Sequence, residues 1–453
     1  MRMVKVPARK WTGDCVVVSL FSLILLHTWQ VRADAPSPVE LPAHLSLEQA
    51  METFRTHGLD MLIADAAVLG AQGDLRAAGA IPNPQLSTNF GHVFNYSAAN
   101  TARMPCVGCS DVVVGGELSD QAALEDTLTG KRALRLRVAR AALEVAQLGR
   151  RDAERVVGFQ VKTQYVRVVA ARSALEFARQ VQASLRETVD LSRLRYPKVI
   201  NEGDLARVEV QQLEADQNVD QARQDLRTAQ VGLAFLLGVR GAVPDFEVDR
   251  AVLHFRVPAP LQTATVDSLL RDAMIRRPDL QQSASAEERA TAALALAKRQ
   301  RIPDVSLDAA YLQTGTGQDA IQPPTLTFGF TVGLPVFYQQ QGEILRAEAD
   351  RDAQVLQRSK LASQVSSDVE TAFAAFATTR AVVERMEGSL LERAGRARDI
   401  TDLQYRAGAA TLIDFLDAER TFIQTNTEYF DDLANYWTAV FQIEAAAGVE
   451  MES

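Results

Sequence analysis

Few residues of this 453-residue chain stand in groupings that could do chemistry. Cys106 and Cys109 sit in Met-Pro-Cys-Val-Gly-Cys-Ser, a spacing that makes either a small disulfide clip or part of a metal-capturing loop. A lone C-x-x-C supplies only two of the roughly four ligands a closed zinc site needs, and His92 and Asp111 are the nearest further candidates. Asp414 and Asp417 are one helical turn apart, so both project to one side near the start of a helix. His44, His57, His92 and His254 are scattered singly, as surface or core histidines are. There is no phosphate loop and no nucleophile motif, and Arg150-Arg151 is balanced by Asp152 and Glu154 on one helix. The expectation is a protein that is not an enzyme and holds no cofactor.

The elements that position these residues are stated twice. Ile81-Pro82, Gly130, Asp204, Glu209, Thr228, Ala229, Gly238 and Val239 are answered by Ile302-Pro303, Gly342, Asp414, Glu419, Thr438, Ala439, Gly448 and Val449. From Asp204 onward the offset is a constant 210 residues. Apolar positions coincide as well (Leu205/Phe415, Leu213/Ile423, Leu226/Tyr436, Val231/Phe441, Leu233/Ile443), as a repeated helical face requires.

The N-terminus indicates the compartment. Arg2, Lys5, Arg9 and Lys10 precede an apolar run from Val16 to Leu26, and Val31-Arg32-Ala33 fits small-residue cleavage, so residues 1–33 read as a secretory signal peptide. Cys15 lies before the apolar run, which argues against lipid attachment. Losing five basic residues and one acidic residue takes the net charge from −9 to −13, a poor balance for nucleic acid and a reasonable one for cation handling. An oxidising compartment favours the disulfide clip at Cys106 and Cys109. After the leader, no stretch approaches the roughly 18 apolar residues of a spanning helix, so any membrane crossing must use strands.

No proline occurs between Pro105 and Pro197, and none follows Pro335. Leu134, Val138, Ala141, Val145 and Leu148 step by fours and threes, predicting a helix from about Lys131 to Leu194, a rod of about 95 Å. The second half predicts another from Gly342 to about Leu403, with Gly238 and Gly448 capping the returning helices. Before each rod the period is two. Leu326, Phe328, Phe330, Val332 and Leu334 alternate with threonine and glycine; Val305, Leu307, Ala309 and Tyr311 alternate with polar residues, and so do Leu86, Phe90, Phe94 and Tyr96. Val112 to Leu118 is a fourth strand. That is the alternation of an outer-membrane barrel strand; a soluble sandwich with one buried face shares it but does not explain why only four strands occur, as two hairpins each followed by a rod. Four strands cannot close, so copies must combine: two give eight strands and three give twelve.

The segment Tyr405-Arg406-Ala407-Gly408-Ala409-Ala410-Thr411-Leu412-Ile413-Asp414-Phe415-Leu416-Asp417-Ala418 resembles the periplasmic helix tip of the TolC-like outer-membrane efflux family. Together with the duplicated layout, the resemblance covers essentially the whole mature chain. Gly130-Lys131-Arg132, Leu334-Pro335-Val336-Phe337 and Gly342-Glu343-Ile344 are similar to the subgroup serving heavy-metal cation pumps of the resistance-nodulation-division class. The resemblance implies a mostly α protein with a small β part, built from a duplicated hairpin and long helix. Its homotrimer would form a twelve-stranded barrel in the outer membrane of a Gram-negative bacterium, continuing into a periplasmic α-helical barrel. The partners it implies are outer-membrane lipid, a periplasmic adaptor (membrane fusion protein) and an inner-membrane pump. Phe90, Phe94, Tyr311, Phe328 and Phe330 are then expected on the lipid face. Tyr405, Gly408, Thr411, Asp414, Asp417, Asp204 and Arg207 are expected at the aperture and adaptor-contact tips. The expected boundaries are residues 34–238 for the first repeat (hairpin about 84–119), 239–264 for a periplasmic linker and 265–453 for the second repeat (hairpin about 303–336).

In a trimer, Asp414 and Asp417 would place six carboxylates around one axis, a pH-sensitive latch and a cation filter. The alternative is that they complement a helix N-terminus. Where drug-exporting members carry arginine two residues after the glycine, this chain has Ala410, which removes a latch contact. Its first tip, Tyr196 to Asp204, is one residue shorter, and Arg207 takes the place of Asp417. Arg207 pairing with Asp417 across neighbouring tips is the expected replacement. The longer first loop, carrying the cysteines, is expected to be extracellular. An exit duct for drugs, small organics or secreted protein remains open, as does a soluble periplasmic coiled-coil scaffold, which would not explain the strands.

Overall fold

A chain without proline for ninety residues can run as one helix, and a computed structural model shows that it does. The structure describes residues 39, 41–92, 112–120, 129–198, 200–314 and 324–451. In chain order the elements are β1 (His44–Leu45), α1 (Leu47–His57), α2 (Leu59–Gly79), β2 (Gln85–His92), β3 (Val112–Asp120), α3 (Lys131–Arg195) and α4 (Glu202–Leu236). There follow β4 (Glu247–Val248), α5 (Ala259–Thr263), α6 (Val266–Arg276), α7 (Pro278–Arg299), β5 (Val305–Thr314), β6 (Thr325–Val332), α8 (Gln341–Arg385), α9 (Leu391–Ala407) and α10 (Leu412–Ala447). The signal peptide, Phe94, Tyr96, Cys106 and Cys109 lie outside the described residues.

Helix α3 has 65 residues, about 98 Å at 1.5 Å per residue. It packs along α2, α4 and α7, with Ala141 and Leu148 of the expected seam buried and Leu134, Val138 and Val145 half-buried. The second rod is α8 joined to α9 through one π turn at Met386–Leu390. That turn is an interruption the apolar spacing did not announce. Across it Tyr429 of α10 donates to Glu387 at 2.6 Å. Gly448, at φ 67°, caps α10, and Gly238, at φ 82°, follows α4, as expected of both.

Each repeat has its own core. One gathers Phe54, Met61, Tyr165, Leu233 and Phe246; the other gathers Phe376, Leu433, Tyr436, Trp437 and Phe441. The linker straps both. Its β4 pairs in parallel with β1, His44 opposite Glu247; Tyr165 donates to the Leu45 carbonyl at 2.9 Å and accepts from the Asp249 amide at 3.0 Å. Tyr436 and Trp437 donate to the carbonyls of Arg256 and His254 at 2.7 and 3.1 Å. The repeated helical face is only partly repeated. Leu226 and Leu233 are buried like Tyr436 and Ile443, but Val231 is 43% exposed where Phe441 is 1% exposed.

Strands β2, β3, β5 and β6 form one antiparallel sheet in that order. Phe90 pairs with Val114, Leu118 with Ala309, Tyr311 with Leu326, and Leu307 with Phe330. Directly opposed residues share a face, so this register puts the apolar alternation of all four strands on one side. Ser87, Asn89, Glu117, Ser119, Ser306, Asp308, Thr327 and Thr331 take the other. At the base of the sheet, Lys131 pairs with Asp304 at 2.8 Å and the Arg132 guanidinium donates to the Gly79 carbonyl at 2.6 Å.

The structure corrects one equivalence. The residue that turns into α3 is Gly130, at φ 63°, and the one that turns into α8 is Gln340, at φ 61°. Gly342 is therefore not the counterpart of Gly130 but lies inside the helix. There a Cβ would come within 2.7 Å of the Tyr338 hydroxyl.

Tyr165→Phe leaves the Asp249 amide and the Leu45 carbonyl without that partner, and is expected to cost about 1–2 kcal/mol. Denaturant unfolding of the purified variant would show it; an unchanged midpoint would mean the strap does not stabilise the first core.

Candidate functional site

The far ends of the rods carry the residues the sequence singled out, and local chemistry explains their spacing. Helix α9 stops because Gly408 takes the left-handed conformation, φ 78°, which costs a glycine least. The Ala409 amide returns to the Gln404 carbonyl at 2.8 Å. Thr411 then caps α10: its hydroxyl accepts from the Asp414 amide at 3.2 Å, while Asp414 accepts from the Thr411 amide at 3.1 Å and hydroxyl at 2.6 Å. This reciprocal box satisfies two amides that the helix start would leave orphaned. Tyr405, 4% exposed, stacks on Phe415 with ring centres 5.3 Å apart. Arg195, at the end of α3, lies over the Tyr405 ring at 5.2 Å and donates to the carbonyls of Tyr405 and Arg406. One rod thus clamps the turn of the other.

Tyr405, Gly408, Thr411 and Asp414 are therefore the covalent and capping logic of a tight helical turn. The helix-start alternative describes Asp414, and its hydrogen bonds from Thr411 hold the carboxyl below the usual range. In the first tip Asn201 plays the part of Thr411, accepting from the Asp204 amide at 2.9 Å. Arg207 bonds Asp204 of its own helix at 3.5 Å. Val189, Val208, Tyr405, Leu412 and Phe415 pack into one small core beneath both tips.

Asp417 and Arg207 are placed differently. Both line a groove of about 450 Å³ between the starts of α4 and α10, with Val210, Ile413, Leu416 and Arg420. Arg207, Val210, Ile413 and Asp417 are exposed. The structure thus brings Arg207 and Asp417 to one surface, while within one chain Arg207 turns to Asp204.

The sequence reading used Glu419 only as a repeat marker. The structure buries it to 3% exposure, and one of its carboxylate oxygens has no hydrogen-bond partner among the described residues. Burial raises its pKa; Arg398 acts in the opposite sense, and Asp402 and Asp399 reinforce the rise. Its counterpart Glu209 instead pairs with Arg193 at 3.0 Å. The signal available was the recurrence of glutamate in both halves at a position where α10, unlike α4, carries an apolar surround. Among the described residues no group of three or more His, Cys, Asp or Glu is arranged to hold a metal.

At the other end, Phe90, Phe328 and Phe330 are 80, 77 and 74% exposed and Tyr311 is 41% exposed, all on the apolar face. Exposed phenylalanines in such number need a partner.

Known proteins resemble the chain in sequence and in fold. Residues 269–449 match the outer membrane efflux protein family. The chain is similar to that family over these residues, which make up most of its second half. Its place is the Gram-negative outer membrane, from which the rods extend into the periplasm. It is similar to a cobalt-zinc-cadmium resistance protein of Cupriavidus metallidurans, 23% identical over 415 residues, covering 91% of this chain and 92% of the relative. It is also similar to a pyoverdine export outer membrane protein of Pseudomonas aeruginosa, 25% identical over 396 residues, with 83% and 79% covered. Among solved structures, the outer membrane protein VceC of Vibrio cholerae shares the fold, with a TM-score of 0.68 at 20% identity over 90% of this chain and 97% of that one.

Because the folded state holds the Glu419 pKa above its ordinary value, ionisation opposes folding. Stability is greatest below about pH 4.5 for this group and falls as pH rises through its folded pKa. Glu419→Gln is expected to raise stability at neutral pH by on the order of 1 kcal/mol and to remove that part of the pH dependence. Thermal unfolding at several pH values tests this; a destabilised variant with unaltered pH dependence would mean the carboxylate is paired and needed.

Proposed function

We propose that three copies of this chain close their sheets into one twelve-stranded barrel and align their rods as a tube, forming a passive exit duct for an efflux system. The observation that carries this reading is the sheet: among the described residues β2 and β6 have no partner along their outer edges, and its apolar face stands exposed. In hydrocarbon an open strand edge leaves backbone groups unsatisfied, so closure must come from other copies. A twelve-stranded ring is wide enough for a channel and matches three rod pairs below it.

The tips then lie deep in the periplasm. There the groove between α4 and α10, with Asp417, Arg207 and the exposed Val210 and Ile413, offers a surface to a periplasmic adaptor. Through that adaptor the duct couples to an inner-membrane pump of the resistance-nodulation-division class. The cargo we assign is heavy-metal cations. Support comes from the cobalt-zinc-cadmium resistance relative and from the acidic balance of the mature chain. A second reading, export of small organic chelators, is favoured by the pyoverdine relative. Substrate choice belongs to the pump in either case.

The purified protein is expected to run as a trimer that resists SDS without heating and to open pores in planar bilayers. Deleting its gene is expected to sensitise the host to cobalt, zinc or cadmium. Sensitivity confined to organic compounds would shift the cargo to the second reading, and a soluble monomer would sink the duct.

Arg207 and Asp417 of neighbouring tips are proposed to pair and hold the aperture narrow. Arg207→Ala is then expected to raise single-channel conductance at neutral pH and change its response to acid. Recordings identical to the parent protein would exclude the pairing.

A further inference from the structure

The turn between β6 and α8 departs from what a plain connection needs. Leu334, Val336 and Phe337 are exposed, Phe337 to 98%, and none of the described residues covers them. Nonetheless the turn is firmly built. The Tyr338 hydroxyl donates to Glu343 at 2.6 Å and accepts from the Gly342 amide at 3.1 Å, and Gly342 leaves room for it where a Cβ would stand 2.7 Å away. Gln340 accepts a left-handed conformation, φ 61°, which a non-glycine residue adopts at a cost. Leu334 continues the spacing of Leu326, Phe328, Phe330 and Val332 by one further step, so the exposed turn prolongs the apolar face of the sheet. Beside it stands a cation: the Arg301 guanidinium, exposed, reaches the Gln339 carbonyl at 3.3 Å. In sequence, the stretch between β3 and α3, Gln121-Ala122-Ala123-Leu124-Glu125-Asp126-Thr127-Leu128, has no aromatic residue and two carboxylates.

We propose that the Leu334–Tyr338 turn is a membrane anchor: Leu334, Val336 and Phe337 insert among the glycerophospholipids of the periplasmic leaflet, and Arg301 faces their phosphates. The occupant follows from position and charge. The turn lies at the end of β6 that leads into the rods, where the bilayer surface meets the periplasm, and aromatic side chains settle at that depth. A guanidinium matches a phosphate in shape and charge. Because only the second hairpin carries the aromatic turn, a closed ring would hold three such anchors, one per copy. They fix the depth of the barrel at the junction where the strands give way to helices. This rests on the barrel reading above, since the anchor continues its lipid face.

Phe337→Trp in the mature protein, which lacks Trp11 and Trp29 of the leader, reconstituted into phosphatidylethanolamine–phosphatidylglycerol vesicles with brominated acyl chains, tests it. The parallel variant Phe330→Trp reports the lipid face. Trp437, fully buried, gives the unquenched background in both. Emission added by Trp at 337 is expected to be quenched by the brominated lipid, as is that added at 330. Quenching at 330 with none at 337 would overturn the anchor and place that turn against a neighbouring copy while leaving the barrel intact. Absence of quenching at both positions would remove the barrel reading and the anchor with it.

Discussion

Every amide and carbonyl that enters hydrocarbon has to find its partner in protein, and this chain does not supply enough strands to meet that demand. Each repeat contributes one hairpin; the two hairpins join through β3 and β5, and β2 and β6 remain as edges. A soluble protein blunts such edges with charge, proline or a covering helix. Here β6 carries Thr-Leu-Thr-Phe-Gly-Phe-Thr-Val, with no charge and no proline, a strand suited to being continued by another. On the proposed reading, the incompleteness of the sheet is what would tie the fold to assembly and the assembly to a conduit.

The long helices follow from the same arrangement. A sheet whose apolar face meets lipid cannot use that face as a core, so the protein stabilises itself elsewhere. It does so near mid-length of the rods, where two equivalent cores form around Tyr165 and Trp437 and the linker crosses both. Lys131–Asp304 and the Arg132–Gly79 contact then fix how the rods enter the sheet. Far from both cores, the tips depend on one modest cluster around Tyr405 and on the Arg195 clamp. Stability is therefore expected to be graded along the rod, lowest toward the tips.

What could be read from the sequence was whatever repeats with a short period. The limits of α3 were legible because eight or nine heptads without proline permit little else, and the strands were legible because Phe328 and Phe330 alternate with threonine and glycine. That Asp414 complements a helix start was one of two readings of the sequence; the reciprocal hydrogen bonds with Thr411 were seen only in the structure. Not legible were features that depend on neighbours distant in sequence. Glu419 of α10 is buried beside Arg398 of α9. Val231 is exposed where its counterpart Phe441 packs into the second core. Gly342 resembled a helix-opening glycine and proved to be a seat for Tyr338. The π turn at Met386–Leu390 leaves the apolar rhythm intact on both sides, so spacing could not reveal it.

The two tips show how a duplicated unit can divide labour. In both, the residue three beyond the cap is an aspartate, Asp204 or Asp414, occupied with its own helix start. Such a carboxyl, bound by the backbone and held at low pKa in the case of Asp414, is poorly suited to sense pH near neutrality: titrating it would undo the cap. The residue one turn further on is under no such obligation, and there the halves differ, with Arg207 in one and Asp417 in the other. A ring built from three chains would alternate these charges instead of stacking six carboxylates. Alternating charges attract across each interface and so favour a closed state, whereas like charges repel and favour an open one. In the proposed trimer, arginine in place of a carboxylate in only one repeat would therefore change the resting balance of the aperture without altering the turn that supports it.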